Sequence, residues 1–140
     1  MEGFLGRYSE YLYALLRIVS GFLFMWHGVQ KLLGYPPRPA AAGPAEGITT
    51  QMAIAGAIEL IGGILIMVGL FTAIAAFLSS GLMAVAYFIA HFSTDAFLPI
   101  VNGGELAVLY CFVFLYIAAR GSGMWSIDSM FRGPTRSEAG

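Results

Sequence analysis

Long apolar stretches alternate with short clusters of glycine, proline and charge along this chain of 140 residues. Crossing a hydrocarbon layer roughly 30 Å thick takes about 20 apolar residues in a helix. With turns and charges as punctuation, the pattern predicts four such helices, at residues 11–33, 52–70, 73–92 and 98–119. Only the Gly69-Leu70-Phe71-Thr72 region separates the middle pair, which predicts a tight helical hairpin. The stretch 34–51, with Pro36, Pro37, Pro39 and Pro44 among its glycines, excludes a regular helix and reads as a flexible connector. Residues 121–140 form a polar tail, and no internal repeat is visible. The expected fold is all-α: a single integral membrane four-helix bundle over residues 1–140, with no stretch left for a soluble domain.

Composition strengthens the membrane reading. Hydrophobic residues make up 59% of the chain and charged ones 11%, against about 25% charged in ordinary soluble domains. The polar surface needed to keep a water-soluble particle apart from its neighbours is missing, so the first partner is the lipid bilayer. A net charge of −1 provides no basic footprint for nucleic acid. The first helix carries Arg17 and His27 and lacks a nearby small-residue cleavage site, so it is expected to be retained rather than removed as a signal peptide. Arg7, Arg17, Arg120, Arg132 and Arg136 fall on one side of the spans against Lys31 and Arg38 on the other. By the positive-inside rule both termini are expected in the cytoplasm, with the chain multi-pass in the inner (cytoplasmic) membrane.

Against this background, Glu59 and Glu105 stand out, because a carboxylate at bilayer depth costs about 2.5 to 10 kcal/mol or more unless it is paired or protonated. The expected topology sorts the other polar residues by depth. His27, Gln30 and Lys31 come near the outer end of the first helix, with His27 and Lys31 at i,i+4 on one face. Tyr87 and His91 share a face at the end of the third, and Asn102 with Glu105 opens the fourth. Four helices thus bring polar groups to one level in the outer half, as bundle-core sites do. Gly56, Gly62 and Gly63 flank Glu59 at i−3, i+3 and i+4, so its face is bare backbone that admits a neighbouring helix.

Each residue also has a plainer reading. Lys31 and His91 sit where snorkelling to the interface suffices, and Arg17 suits a structural or topological charge. Tyr8, Tyr11, Tyr13, Trp26, Tyr35, Tyr116 and Trp125 fit an interfacial aromatic belt. Glu59 and Glu105 could also lock the bundle by pairing with His27 or Lys31.

The ordered motifs Arg17-Ile-Val-Ser-Gly21, His27-Gly28-Val-Gln-Lys31-Leu32, Glu59-Leu-Ile-Gly62-Gly63, Gly69-Leu-Phe-Thr72, Asn102-Gly103-Gly104-Glu105-Leu106, Gly121-Ser-Gly123 and Ser126-Ile-Asp128 are spread over nearly the whole span 12–128. In this order and spacing they resemble the DoxX family of small four-helix membrane proteins. The resemblance implies a bacterial or archaeal inner-membrane protein related to the membrane subunits of thiosulfate:quinone oxidoreductase. It also implies relatives in oxidative-stress and thiol-handling membrane complexes. Related four-helix proteins act instead as membrane chaperones or cargo receptors. The positions carried over are Arg17, Gly28, Lys31, Glu59, Gly62, Gly63, Asn102 and Glu105, with Arg17, Gly28, Gly62 and Gly63 in structural roles. His27 and His91 come from the depth argument alone.

Cys111 is the sole cysteine, so an intramolecular dithiol mechanism is excluded for this chain by itself, and its apolar neighbours suit an inert thiol. The leading expectation is a membrane subunit of a quinone-linked oxidoreductase assembly, holding a quinone-like ligand in the outer half of the bundle. Quinone reduction takes up protons, so such a site needs hydrogen-bond donors and a proton-exchanging carboxylate or histidine. His27, Gln30, Lys31, Tyr87, His91 and Asn102 would bind the ligand, and Glu59 and Glu105 would handle protons. Haem ligated by His27 and His91 ranks below this, and a metal held by His27, Glu59, His91 and Glu105 third; no metal site is assigned. The alternative from another class is a non-catalytic adaptor, chaperone or assembly factor whose polar cluster is structural. Other oxidoreductase subunits are expected partners, and homo-oligomerisation is compatible with either reading.

Overall fold

The computed structural model describes residues 3–37 and 47–131, and every element in it is helical. Arg38, Arg132 and Arg136, which entered the orientation argument, and the tail beyond Phe131 lie outside the described residues. After a single 3-10 turn, α1 runs Ser9–Leu33 and ends at Gly34, whose positive φ of 67° lets its N–H return to the Gln30 carbonyl. The Thr49 hydroxyl caps α2 (Thr50–Val68) by accepting from the Met52 N–H at 3.2 Å. Gly69, at φ 74°, closes α2 the same way.

The hairpin places α3 (Thr72–Ala86) two residues beyond Leu70, and a π-helical turn, Tyr87–His91, extends it. The predicted fourth helix divides in two. A short α4 (Pro99–Asn102) stops at Gly103, φ 72°, and α5 runs Glu105–Arg120. A last turn, α6 (Ile127–Phe131), follows. Three helical stretches, Gly6–Leu33, Thr50–Val68 and Thr72–His91, are long and apolar enough to cross a membrane. With 16 residues α5 rises about 24 Å, which is short of a roughly 30 Å hydrocarbon layer. The chain is therefore a multi-pass helical membrane protein, with three helices of full spanning length among the described residues.

Packing is closest between α1 and α2 and between α3 and α5; α2 meets α3, and α1 touches α5 only sparingly. Glycines set the first contact. A Cβ on Gly21 would fall 2.6 Å from the Met67 nitrogen, and one on Gly63 2.5 Å from the Met25 nitrogen. Gly28 stands equally close to Leu60 and Gly56, so α1 and α2 meet backbone to backbone along two turns each. Between the helix pairs lies an apolar core that includes Phe24, Ile66, Met83, Tyr110, Phe114 and Ile117. Tyr13, expected in the aromatic belt, belongs to this core: it is 3% exposed, donates to the Gly121 carbonyl and carries the Arg120 guanidinium over its ring at 4.1 Å.

At the opposite end from Lys31, Arg17 is fully buried. Its Nη1 donates to the carbonyls of Ile66 and Met67 at 2.7 and 2.8 Å, and its Nη2 to those of Met124 and Trp125 at 3.3 and 2.6 Å. The last carbonyls of α2 and the segment before α6 are thereby held by one guanidinium. Asp128 completes the brace from α6, accepting from the Phe71 and Thr72 N–H groups at 2.9 and 3.0 Å and from the Thr72 hydroxyl at 3.0 Å. Phe71 and Trp125 both adopt positive φ, 48° and 53°. Such a conformation costs an ordinary residue roughly 1–2 kcal/mol, and the bonds to Asp128 and Arg17 offset it.

Candidate functional site

Close approach of α1 and α2 decides what Lys31 can reach. With Gly28 against the backbone of Gly56 and Leu60, the Lys31 side chain crosses to α2 and places Nζ 2.5 Å from Glu59 Oε1. Glu59 is 2% exposed and the Lys31 side chain 29%. The pair therefore runs from the edge of the bundle to its interior. The second carboxylate oxygen, Oε2, is buried with no hydrogen-bond partner among the described residues.

A cluster of aromatic rings lies between α1 and α5. On α5, Tyr110 meets the His27 ring of α1 edge-on with centroids 6.2 Å apart. Phe24 and Phe114 pack on Tyr110 at 5.4 and 5.3 Å. Tyr110 had no signal in the sequence, where it was one aromatic among many in an apolar helix. Only its place in the core against Phe24 and Phe114 distinguishes it.

The other expected site residues form a second group around the π turn. The Tyr87 hydroxyl donates to the Phe97 carbonyl at 2.8 Å, and Asn102 Nδ2 donates to the Ala96 carbonyl at 2.9 Å and to the Tyr87 hydroxyl at 3.3 Å. His91 Nδ1 lies 3.2 Å from the Asn102 carbonyl oxygen. These bonds tie the end of α3 to the loop before α4. Gly104 allows it, since a Cβ there would meet the Tyr87 ring at 2.6 Å. Gln30 Nε2 donates to the Pro36 carbonyl at 3.0 Å, fastening the loop after α1.

Glu105 stands apart from Glu59. It is exposed at the start of α5 and lines an open hollow of about 800 Å³ with Pro99, Gly103 and Phe112. Among the described residues, no three His, Cys, Asp or Glu side chains converge in a way that could hold a metal ion. The Cys111 carbonyl accepts from the Ser80 hydroxyl at 2.8 Å, and the thiol lies 3.6 Å from the same hydroxyl.

Because α1 and α5 touch only sparingly, a groove of about 450 Å³ opens between them. Leu16, Val19 and Leu23 form one wall and Leu106, Leu109 and Tyr110 the other. Tyr110 thus lines the groove from within the apolar core.

Known proteins place the chain in a family. The DoxX family model matches residues 12–92. An uncharacterized protein of Haemophilus influenzae is 43% identical over 129 residues, covering 91% of this chain and 96% of that protein. A Bacillus subtilis protein named "Putative oxidoreductase CatD" is 31% identical over 121 residues, covering 85% and 87% respectively. No solved structure matches the chain significantly. A family model that spans most of α1, α2 and α3, together with relatives aligned along nearly their whole length, shows that this chain belongs to the DoxX family.

Proposed function

We propose that this protein is a membrane subunit of a quinone-linked oxidoreductase assembly in the cytoplasmic membrane, with both termini in the cytoplasm and α4 and α5 together forming a fourth crossing. The observation that carries this reading is the Lys31–Glu59 pair with Glu59 Oε2 left buried and unpaired. A pair built only to lock helices satisfies both carboxylate oxygens, since an unpaired buried acceptor is costly. Its retention inside an apolar bundle favours a ligand or proton-handling role. The relative named for oxidoreductase activity supports the same class.

A quinone-like group fits the donor set: Lys31 and Tyr110 carry hydrogen-bond donors, Glu59 can exchange a proton, and the rings of Phe24 and Phe114 offer an apolar bed. When bound, such a group would supply the two-electron chemistry that these side chains lack. Glu59 would exchange protons with the outer surface through the partly exposed Lys31. His27 contacts Tyr110 and His91 contacts the Asn102 carbonyl, so the two imidazoles serve different neighbourhoods, and haem ligation ranks lower.

A second reading, a non-catalytic adaptor or assembly factor, draws on Glu105. An exposed carboxylate beside an open apolar hollow on the outer face of α5 suits a partner helix carrying a cation. Solvent extraction of the purified protein separates the two. We expect a lipophilic quinone at about one per chain, lost in Glu59→Gln with an unchanged elution profile. Ligand-free protein that brings down partner subunits, and releases them in Glu105→Gln, would establish the second reading instead.

A further inference from the structure

The groove between α1 and α5 has one charged end. Leu12, Leu16, Val19 and Leu23 line it from α1, and Leu106 and Val113 from α5. Beyond Val113 the same face of α5 continues through Tyr116 to Arg120, and one turn before Leu12 it carries Tyr8 on the α1 side. Contacts at that end follow the same line. The Arg120 guanidinium closes the gap between the helices: Nη1 donates to the Tyr116 hydroxyl at 3.0 Å, Nη2 pairs with Glu10, and the group covers the ring of Tyr13, next to Leu12, at 4.1 Å. Arg7 lies over the Tyr8 ring at 4.8 Å and has no ion pair among the described residues.

Two guanidiniums against one carboxylate leave this end positive. A guanidinium carries five N–H donors, and beyond the bonds to Tyr116 and Glu10 those of Arg120 have no partner among the described residues; its side chain is 28% exposed. The rest of the groove is aliphatic, and its leucines are exposed on a helix that crosses the membrane. From Leu12 to Leu23 α1 rises about 16 Å. That is about half of a roughly 30 Å hydrocarbon layer, the depth of one leaflet. Tyr11 and Trp125, ring to ring at 5.6 Å, add interfacial aromatics at the arginine end.

We propose that the groove between α1 and α5 holds one acyl chain of an anionic phospholipid, drawn from the leaflet at the Arg7–Arg120 end, with its phosphate paired to the two guanidiniums. Arginine binds phosphate through parallel N–H groups. A head group that also carries an ammonium would bring a cation up to two others, so a net negative lipid is selected. Glu10 competes with the phosphate for Arg120. The site is separate from the Lys31–Glu59 pair, neither member of which lines the groove, and it does not rest on the proposed redox function.

The test is a competition. The full chain in detergent receives dioleoylphosphatidylglycerol and dioleoylphosphatidylcholine at equal concentration, and native mass spectrometry reads the ratio of the two one-lipid adducts. The phosphatidylglycerol adduct should exceed the other about fivefold. Arg7→Gln, at an exposed position, should cut that ratio to less than about twofold. Glu10→Gln frees Arg120 and should raise it, whereas a bridge that only joins α1 to α5 would leave it unmoved. Val19→Trp fills the groove from an exposed position and should lower both adducts about tenfold without lowering the melting temperature. Equal adducts that ignore Arg7→Gln and Glu10→Gln would overturn the head-group assignment. A preference that survives Val19→Trp would overturn the groove and put the anion on surface charge alone. Absence of any one-lipid adduct would overturn the site, and a dimer split by Val19→Trp would then give the groove to a second copy of the chain.

Discussion

Lys31 and Glu59 illustrate how a polar residue tolerated in an apolar chain acquires its meaning from its partner. The pair is asymmetric: the ammonium keeps some exposure while the carboxylate is sealed in. Removing either side should therefore have unequal effects. Lys31→Met strands a buried carboxylate, and the expected loss is about 3 kcal/mol, toward the lower end for broken buried pairs because Lys31 is itself partly exposed. Glu59→Gln leaves an ammonium that can turn outward, so its cost should be smaller. In the double variant Lys31→Met with Glu59→Gln, most of the loss should return. Detergent melting of the four proteins measures this coupling, and additive losses would show that the two side chains do not act on each other.

Among the helices, the decisive feature is where glycine meets backbone rather than side chain. Gly63 faces the Met25 nitrogen and the Gly21 carbonyl at 2.5 and 2.7 Å from a hypothetical Cβ, and neither can move without shifting α1. Gly62 faces only the Ser79 hydroxyl, at 2.6 Å, which a rotamer change relieves. Gly63→Ala should accordingly lower stability by about 1–3 kcal/mol. Gly62→Ala should cost distinctly less. Gly81, with nothing within 4 Å, should accept alanine with a neutral or slightly stabilising effect. Melting temperatures in one detergent rank the three, and equal behaviour of Gly62→Ala and Gly63→Ala would mean that the α1–α2 contact is looser than the structure shows. The same register explains why the glycines around Glu59, legible as a small-residue face, do not all serve one neighbour. Gly56 and Gly63 receive α1, and Gly62 receives α3.

For the molecule as a whole, orientation and the number of crossings follow from charge and length together. If Pro99–Arg120 completes a fourth crossing, the N-terminal segment and the end of α5 lie on one side and the loop after α1 on the other. In a Cys111→Ala background, Ile48→Cys should react with a membrane-impermeant thiol reagent in intact cells. Phe4→Cys should react only after permeabilisation; both positions are exposed, at 57% and 89%. Labelling of both from outside would put the N-terminal segment and the loop after α1 on one face, so that α1 would not cross. Reversed labelling would turn the Lys31–Glu59 end toward the cytoplasm.

Hydropathy and its punctuation were enough to locate α1, α2 and α3 almost to the residue, because burial in lipid is a property each segment carries locally. The inward placement of Glu59 was legible for the same reason: its glycine neighbours lie on its own helix. Partner choice was not. Whether Lys31 snorkels or crosses to Glu59 depends on the rotation and offset of α1 against α2, which the Gly28–Gly56 contact sets and no single segment encodes. Glu105 read as Glu59's equal by residue type and depth, yet the break at Gly103 and the rotation of α5 turn it to the outer face. Arg17 read as a structural or topological charge without a partner, and only the return of residues 124–128 beneath the α2–α3 hairpin makes it the clamp on four carbonyls. Tyr110 carried no mark at all until packing set it in the core against Phe24 and His27. Local patterns determine which segments enter the membrane; the spatial relation of one helix to the next determines which polar atoms meet, because hydrogen bonds and ion pairs act over a few ångströms that only tertiary packing can close.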